Sequence, residues 1–204
     1  MSKPLDQDAF LTISRKSTGL YKDKGSKFLY FSFPVENEEE IKTELALLRK
    51  IYFDASHHCY AWVLGPKGTQ FRANDDGEPN HSAGDPILGQ IRSHQLTNVL
   101  IVVVRYFGGT KLGVSGLIQA YKISASMAIE DSDIIEKRVM EDLVIQFGYP
   151  QMNEVMKIVK SESLEIKNQI LGLDCQITLR MRKGILVLVK EKLEEIESLV
   201  VKSD

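Results

Sequence analysis

The most constraining feature of the sequence is the run LIVVV at residues 100–104, in which every side chain is apolar and four are β-branched. A run without polar alternation is typical of a strand that is buried on both faces. It leads through RYFGGTKLG, residues 105–113, into a segment with apolar residues at helical spacing. These residues predict the buried stripe of a long helix: Val114, Leu117, Ile118, Tyr121, Ala125 and Ile129. The chain is therefore built around a buried strand followed by a helix.

The segments on either side of this unit predict further strands and helices. Residues 10–35 are interpreted as a β-hairpin, with Gly19 and Gly25 marking turns, and residues after Glu36 as a helix. Two strands are predicted at residues 57–65 and 69–73. A polar loop at residues 74–85 and a short helix at residues 86–94 follow.

A second domain is predicted after the charged stretch at residues 131–137. We place the boundary so that one domain covers residues 1–134 and the other residues 135–204. The second region has the pattern β-α-β-β-α-β in about 70 residues, which is typical of a ferredoxin-like sandwich. The fold class predicted from the residues is thus α+β.

Charge and composition limit the kinds of function. The formal net charge is −2, from 26 Lys and Arg against 28 Asp and Glu, whereas nucleic-acid-binding domains usually carry a basic excess. Contact with RNA would therefore need a local basic patch. No apolar run reaches the roughly 18 residues of a membrane span, and the first ten residues lack a secretory signal. Cys59 and Cys175 form no CxxC pattern. We expect a cytoplasmic protein without a cofactor, a metal or a membrane association.

The loop at residues 105–113 is the strongest candidate for ligand contact. A strand-to-helix junction exposes backbone N–H groups at the positive end of the helix dipole, and its glycines let an anion approach the backbone. It matches neither the Walker A nor the GxGxxG pattern. Alternatively, the glycines serve only a tight turn. The predicted RNA- or anion-binding residues are Arg105, Tyr106, Gly108, Gly109, Thr110 and Lys111, with Lys27 and Arg72 as neighbours.

A second candidate is a polar cluster from two segments. Strand alternation places His57 and Cys59 on one face and His58 on the other, so the two imidazoles do not converge on one atom. Asp75, Asp76 and Glu78 lie in the following loop. Oxygen ligands of this kind suit a divalent metal, but their spacing is not that of an EF-hand. Asp-Gly and Glu-Pro dipeptides also simply build turns.

Six motifs together resemble the IMPACT/YigZ family. They are KGSKF at residues 24–28, SHHCYAWVLG at 56–65, DDGEP at 75–79, SAGDPIL at 82–88, VVVRYFGGTKLG at 102–113 and GLIQAY at 116–121. The resemblance covers most of residues 10–130. Ser115 stands where the family pattern has a second glycine.

The resemblance implies two domains. The first is expected to have the left-handed β-α-β fold shared with a ribosomal-protein domain and with domain IV of elongation factor G. The second is expected to resemble domain V of the same factor, which agrees with the ferredoxin-like pattern. Fold kinship does not by itself assign a function.

The leading functional hypothesis is a non-catalytic binding protein that acts in translation or its regulation. Its partner would be RNA, the ribosome or a ribosome-associated protein. The alternative is a small-molecule enzyme, or a protein that binds a phosphorylated metabolite or metal, with His57 or His58 as base. That alternative predicts a concave pocket joining the glycine-rich loop, the histidines and the acidic loop. The oligomeric state stays open.

Overall fold

The computed structural model describes residues 8–202, and these form two compact units. One unit is Phe10–Lys137, and the other contains residues 8–9 and 138–202. Both contain sheets and helices, so the predicted α+β class is confirmed. The absence of a secretory signal was inferred partly from residues 1–7, which lie outside the described residues.

The first unit contains a five-stranded sheet with the order β2-β3-β6-β4-β5. Its strands are β2 (Ser17–Asp23), β3 (Ser26–Pro34), β4 (His57–Leu64), β5 (Gln70–Asn74) and β6 (Val99–Tyr106). All neighbouring pairs are antiparallel, and β6 occupies the centre. The apolar run at residues 100–104 is therefore the buried central strand that its composition predicts.

The predicted hairpin at residues 10–35 is partly wrong. The hairpin is formed by β2 and β3, whereas the preceding strand, β1 (Ala9–Ile13), pairs with β7 (Ile134–Arg138). Gly25 occupies the turn with φ of 82°. Gly19 lies within β2, where a Cβ atom would come within 2.1 Å of the Tyr30 hydroxyl. Gly19 thus leaves room for a tyrosine ring and does not make a turn.

Helices cover both faces of the five-stranded sheet. One face packs against α1 (Glu38–Ile51), whose Ile41 and Leu48 are buried with Trp62 and Val102. Asn37 caps this helix, since its side chain accepts a hydrogen bond from the Glu40 N–H. The opposite face packs against α2 (Gly84–Ser93) and α3 (Gly113–Glu130). The sheet therefore has an α1 face and an α2/α3 face.

The buried stripe of α3 differs from the predicted one. Leu117, Tyr121, Ala125 and Ile129 are buried as expected, but Val114 is 53% exposed and Ile118 is 38% exposed. Small residues complete the buried face: Ala120, Ser124 and Ala128. They let the helix approach the sheet closely, which apolar spacing alone does not predict.

The second unit has a four-stranded sheet with the order β11-β8-β10-β9. Its strands are β8 (Met140–Gly148), β9 (Glu165–Ile170), β10 (Asp174–Arg182) and β11 (Val200–Lys202). The helices are α4 (Met152–Ser161) and α5 (Leu186–Glu194). Their buried residues Val155, Val159, Val189 and Leu193 form a core with the strands. The element order is the predicted β-α-β-β-α-β.

No helix within residues 8–202 combines the length and the apolar character needed to cross a membrane.

Candidate nucleic-acid interface

Three predicted segments meet at one end of the five-stranded sheet. β6 ends at Tyr106, beside the first residues of β3 and β4. Arg105 lies between its partners Phe28 and His57, and Tyr106 lies opposite Lys27. Side chains at paired positions project to the same face. Arg105, Phe28 and His57 therefore share the α2/α3 face, whereas Tyr106 and Lys27 share the α1 face.

The Arg105 side chain is buried in an ion pair. Its Nη1 donates a 2.6 Å hydrogen bond to Oε1 of Glu78, and the two side chains are only 6% and 4% exposed. The Tyr121 hydroxyl donates to the same Oε1 at 2.8 Å. The guanidinium also lies 5.5 Å from the centroid of the Phe28 ring. Arg105 was predicted as a phosphate contact, but in this arrangement its guanidinium joins β6, the acidic loop and α3.

Ser26 and two glycines close the same end of the sheet. The Gly108 N–H donates to Oγ of Ser26 at 3.2 Å. A Cβ atom on Gly108 would lie 1.9 Å from the carbonyl carbon of Gly25. The two chain segments touch backbone to backbone, so Gly108 is required by this crossing. Gly109, in contrast, has φ of 87° and nothing within 4 Å of the Cβ position.

The acidic loop makes internal contacts. Oδ1 of Asp75 accepts hydrogen bonds from the N–H groups of Ala83 and Gly84, at 2.9 and 2.8 Å, and Oδ2 accepts one from His81 N–H at 2.9 Å. Burial raises the pKa of Asp75, but the three backbone donors outweigh it and hold the pKa below its ordinary value. Asp75 therefore caps the N-terminus of α2, although it lies outside the helix in the preceding loop.

Asp76 connects the same loop to β4 and α1. Its Oδ2 accepts a 2.6 Å hydrogen bond from the His58 N–H, and its Oδ1 accepts one from Arg49 at 3.0 Å. Together with Glu78, which binds Arg105, these contacts hold the loop against the sheet. Residues 8–202 contain no group of three His, Cys, Asp or Glu side chains placed to hold a metal ion.

The two histidines lie on opposite faces, as strand alternation predicts. His57 is half-buried, with Nδ1 lying 2.8 Å from the Asp76 carbonyl oxygen and Nε2 3.8 Å from Glu78. His58 is buried on the α1 face, and burial lowers its pKa. Cys59 Sγ lies 3.3 Å from the Tyr121 hydroxyl, and burial raises the pKa of both groups. Burial thus favours the neutral forms of His58, Cys59 and Tyr121.

A cavity of about 540 Å³ lies on the α1 face, at the end of the sheet where β6 finishes. Its apolar lining comes from Leu20, Leu29, Tyr52 and Phe107, of which Leu20 is 43% exposed and Phe107 51% exposed. Tyr106 lines it too, and its hydroxyl donates to Oδ1 of Asp54 at 2.7 Å. That hydrogen bond raises the pKa of Tyr106 to about 12. Neither histidine nor any residue of the acidic loop lines this cavity.

Four lysines lie at or near this end of the sheet. Lys27 lines the cavity, and Lys22 lies directly opposite it on β2. Lys24 lies in the turn between them, and Lys111 follows Gly108 by three residues, which limits the distance between their Cα atoms to about 11 Å. All four are exposed, and none of their ammonium groups forms an ion pair or hydrogen bond within residues 8–202. Thr110 is also exposed in this loop.

Arg72 lies elsewhere. It pairs with Trp62, five residues along β4 from His57, which places it roughly 16 Å from the end of the sheet that carries the lysines. Of the predicted binding residues, Lys27 therefore lies beside the glycine-rich loop, which itself contains Tyr106, Thr110 and Lys111. Arg105 lies beneath this surface, and Arg72 is separate from it.

Sequence reasoning missed Lys22, Lys24, Phe107 and Ser26 as parts of this region. Lys22 is found only when the register of β2 against β3 is known. The signal for Phe107 and Ser26 is present in FGG and KGSK, where each adjoins a glycine at a strand end. Their proximity depends on the pairing of β3 with β6.

Comparisons with known proteins agree with the family resemblance. The model of the Impact N-terminal domain matches residues 24–129. The IMPACT family member YvyE of Bacillus subtilis is 32% identical over 142 residues, which are 70% of this chain and 65% of the relative. The IMPACT family member YigZ of Escherichia coli is 33% identical over 134 residues, 65% of this chain and 66% of the relative. The matched regions thus span about two thirds of these relatives.

Two further matches cover a larger share of the matched protein. An IMPACT family member of Thermus thermophilus is 33% identical over 159 residues, which are 78% of this chain and 86% of the relative. A crystal structure described as a hypothetical protein superposes with a TM-score of 0.72 and 26% identity, over 97% of this chain and 98% of its own. The family resemblance predicted from the motifs is confirmed, and the chain belongs to the IMPACT family.

Proposed function

We propose that this chain is a non-catalytic RNA-binding protein that acts in translation or its regulation. The observation that carries the proposal is the group of four exposed lysines without a carboxylate partner within residues 8–202: Lys22, Lys24, Lys27 and Lys111. We call these residues, with Tyr106 and Phe107, the lysine surface. The anionic phosphate groups of RNA fit this surface.

The pairing of Lys22 with Lys27 is the most specific support. The two residues are directly opposite each other on antiparallel strands, and like charges in that position destabilise a sheet. An exposed pair that forms no ion pair within residues 8–202 is stabilised by an anion bound between the ammonium groups. A phosphodiester meets this requirement, and the exposed aromatic side chains beside the pair add a stacking surface.

The glycine-rich loop at residues 105–113 also supports this proposal. Gly109 and Gly113 have positive φ, 87° and 74°, and neither has an atom within 4 Å of its Cβ position. The loop backbone is therefore open to solvent where it leads into the 18 residues of α3. Lys111 lies in that loop and adds a positive charge. Arg105 has a positioning role here, because its buried ion pair holds the strand end from which the loop departs.

The proposed fold relationship connects this surface to translation. We propose that Phe10–Lys137 has the left-handed β-α-β fold of domain IV of elongation factor G and that the second unit corresponds to its ferredoxin-like domain V. The order β11-β8-β10-β9 supports the second assignment, since the first and third strands are central and the second and fourth are at the edges. A protein with these two domains is suited to contact ribosomal or transfer RNA, or a ribosome-associated protein.

The enzyme alternative has less support. It requires a cavity that joins the histidines to the acidic loop and the glycine-rich loop. The cavity beside the lysine surface is lined neither by a histidine nor by a residue of the acidic loop. His58 is buried, and the carboxylates of Asp75, Asp76 and Glu78 accept hydrogen bonds from the protein itself.

The test is co-sedimentation with ribosomes and binding of bulk tRNA at several salt concentrations. The variant is Lys27→Ala/Lys111→Ala, and the matched control is Lys67→Ala/Arg72→Ala, which removes two exposed charges from the other part of the sheet. We expect modest, salt-dependent binding because the net charge is −2. The slope of log K against log salt should fall by about 0.7 for each lost contact in the variant and stay unchanged in the control. Salt-independent binding, or equal loss in both variants, would refute the lysine surface.

A further inference from the structure

The cavity beside the lysine surface has a shape and composition that phosphate binding alone does not require. Lysines on a flat strand pair are sufficient to hold a phosphodiester backbone, whether single- or double-stranded. Here the lysine pair continues into a concave region of about 540 Å³, which is within the range of small-ligand pockets. Much of its lining is apolar or aromatic, so it favours a ligand with an apolar face.

The register of the strands explains why the cavity exists. Lys22, Lys27 and Tyr106 form one row across three strands, and Leu20 and Leu29 form the next row on the same face. Helix α1 ends at Ile51, and Tyr52, which follows it, closes one side of the cavity. The leucine row lines the same cavity as Tyr52, and Leu20 is left 43% exposed.

Phe107 supplies an aromatic surface at the edge. It follows β6 directly, lines the cavity and is 51% exposed. Its neighbour Gly108 is held against Gly25 and Ser26, which fixes the chain next to the ring. An exposed aromatic ring on a fixed backbone, beside lysines, is the arrangement that stacks an unpaired base while the cations hold the adjacent phosphates.

We propose that this cavity binds one unpaired base of a single-stranded RNA segment. The base stacks against Phe107 over the Leu20–Leu29 row, and the flanking phosphates lie between Lys22 and Lys27. This inference rests on the proposed function and adds the class of RNA. A base inside a duplex is stacked and paired on both sides, so it does not enter a cavity of this kind. The Asp54 carboxylate accepts a hydrogen bond from Tyr106, which lines the cavity. Because this carboxylate repels phosphate groups, it limits how far the RNA backbone extends past Tyr106.

The experiment compares the full chain binding a fluorescently labelled single-stranded U12 oligonucleotide and a 12-base-pair RNA duplex. The variant is Phe107→Ala, and the control is Phe53→Ala, which removes an 82% exposed aromatic ring that does not line the cavity. Phe107→Leu, which keeps apolar bulk without the ring, provides a second variant. We expect tighter binding of U12 than of the duplex. The U12 affinity should fall about tenfold in Phe107→Ala, less in Phe107→Leu, and stay constant in Phe53→Ala.

The outcomes separate this inference from the proposed function. If both RNAs bind equally and only Lys27→Ala/Lys111→Ala weakens them, the base site is refuted while RNA binding remains. If neither RNA binds at low salt, both proposals fail. Polyglutamate is included as a competitor, because an acidic peptide would also satisfy the lysines. Displacement of U12 by polyglutamate at lower concentration than by unlabelled U12 would assign the cavity to a protein partner and overturn the inference.

Discussion

Arg105 and Glu78 form a buried ion pair with 2.6 Å between Nη1 and Oε1, at the point where the central strand meets the acidic loop. The same carboxylate oxygen accepts the Tyr121 hydroxyl from α3. One atom thus connects β6, the loop and the helix.

Removing one partner of this pair should destabilise the protein strongly. In Arg105→Ala, the buried Glu78 loses its ion-pair partner and retains only the hydrogen bond from Tyr121, so we expect the free energy of unfolding to fall by about 3–5 kcal/mol. Chemical denaturation measures this. The control is Arg15→Ala, which breaks the pair with Asp133 whose side chains are 63% and 61% exposed, and it should cost less than about 1 kcal/mol. Equal stability of the two variants would mean that the pair has no structural role.

The contact of Gly108 with Gly25 predicts a steric effect. A methyl group on Gly108 would lie 1.9 Å from backbone atoms of Gly25, and backbone cannot move as a side chain does. We expect Gly108→Ala to lower the free energy of unfolding by about 1–3 kcal/mol. Gly89→Ala is the matched control, because Gly89 lies within α2 with nothing near its Cβ position, and alanine there should stabilise by about 0.5–1 kcal/mol. Thermal or chemical unfolding of both variants measures these changes in the free energy of unfolding.

Asp75 should make stability depend on acid pH. Its pKa is lowered in the folded protein, so its stabilising contribution is complete above the unfolded value near 4 and is lost as the pH falls below that value. Asp75→Asn removes the charge while keeping an acceptor oxygen. We expect the variant to be less stable at pH 7 and to show a shallower loss of stability between pH 5 and 3. Asp174→Asn, at the exposed start of β10, should leave the wild-type slope unchanged. A wild-type slope in Asp75→Asn would contradict the capping role.

His58 predicts a second pH dependence, in a different range. Burial lowers its pKa, with Asp76 acting to raise it and Arg49 to lower it. The unfolded chain takes up a proton near pH 6.5 while the folded chain resists, so stability is present above about pH 6.5 and falls as the pH drops below it. We expect His58→Gln to show a smaller difference in unfolding free energy between pH 7.5 and 5.5. The exposed His81, replaced in the same way, serves as the reference. If both variants match the wild type, protonation of His58 is not linked to unfolding.

Most of the helices and strands could be predicted from the sequence, because their signals are local. The run at residues 100–104 is apolar without alternation, and such a segment is stable only between two covered faces. Helical spacing of apolar residues identified α3, and the element order of the second region matched its predicted β-α-β-β-α-β pattern. Family membership was also local information, since it rests on ungapped motifs within residues 24–121.

Long-range contacts in the folded chain determine which side chains meet and which remain exposed. Arg105 and Lys27 are both cations near the glycine-rich loop, yet the register of β3 against β6 places them on opposite faces, one buried with Glu78 and the other at a cavity. Val114 and Ile118 match the apolar pattern of α3 but face outward, because small residues make the closer contact with the sheet. Pairing register and helix placement depend on contacts between residues distant in sequence, so local patterns do not contain them.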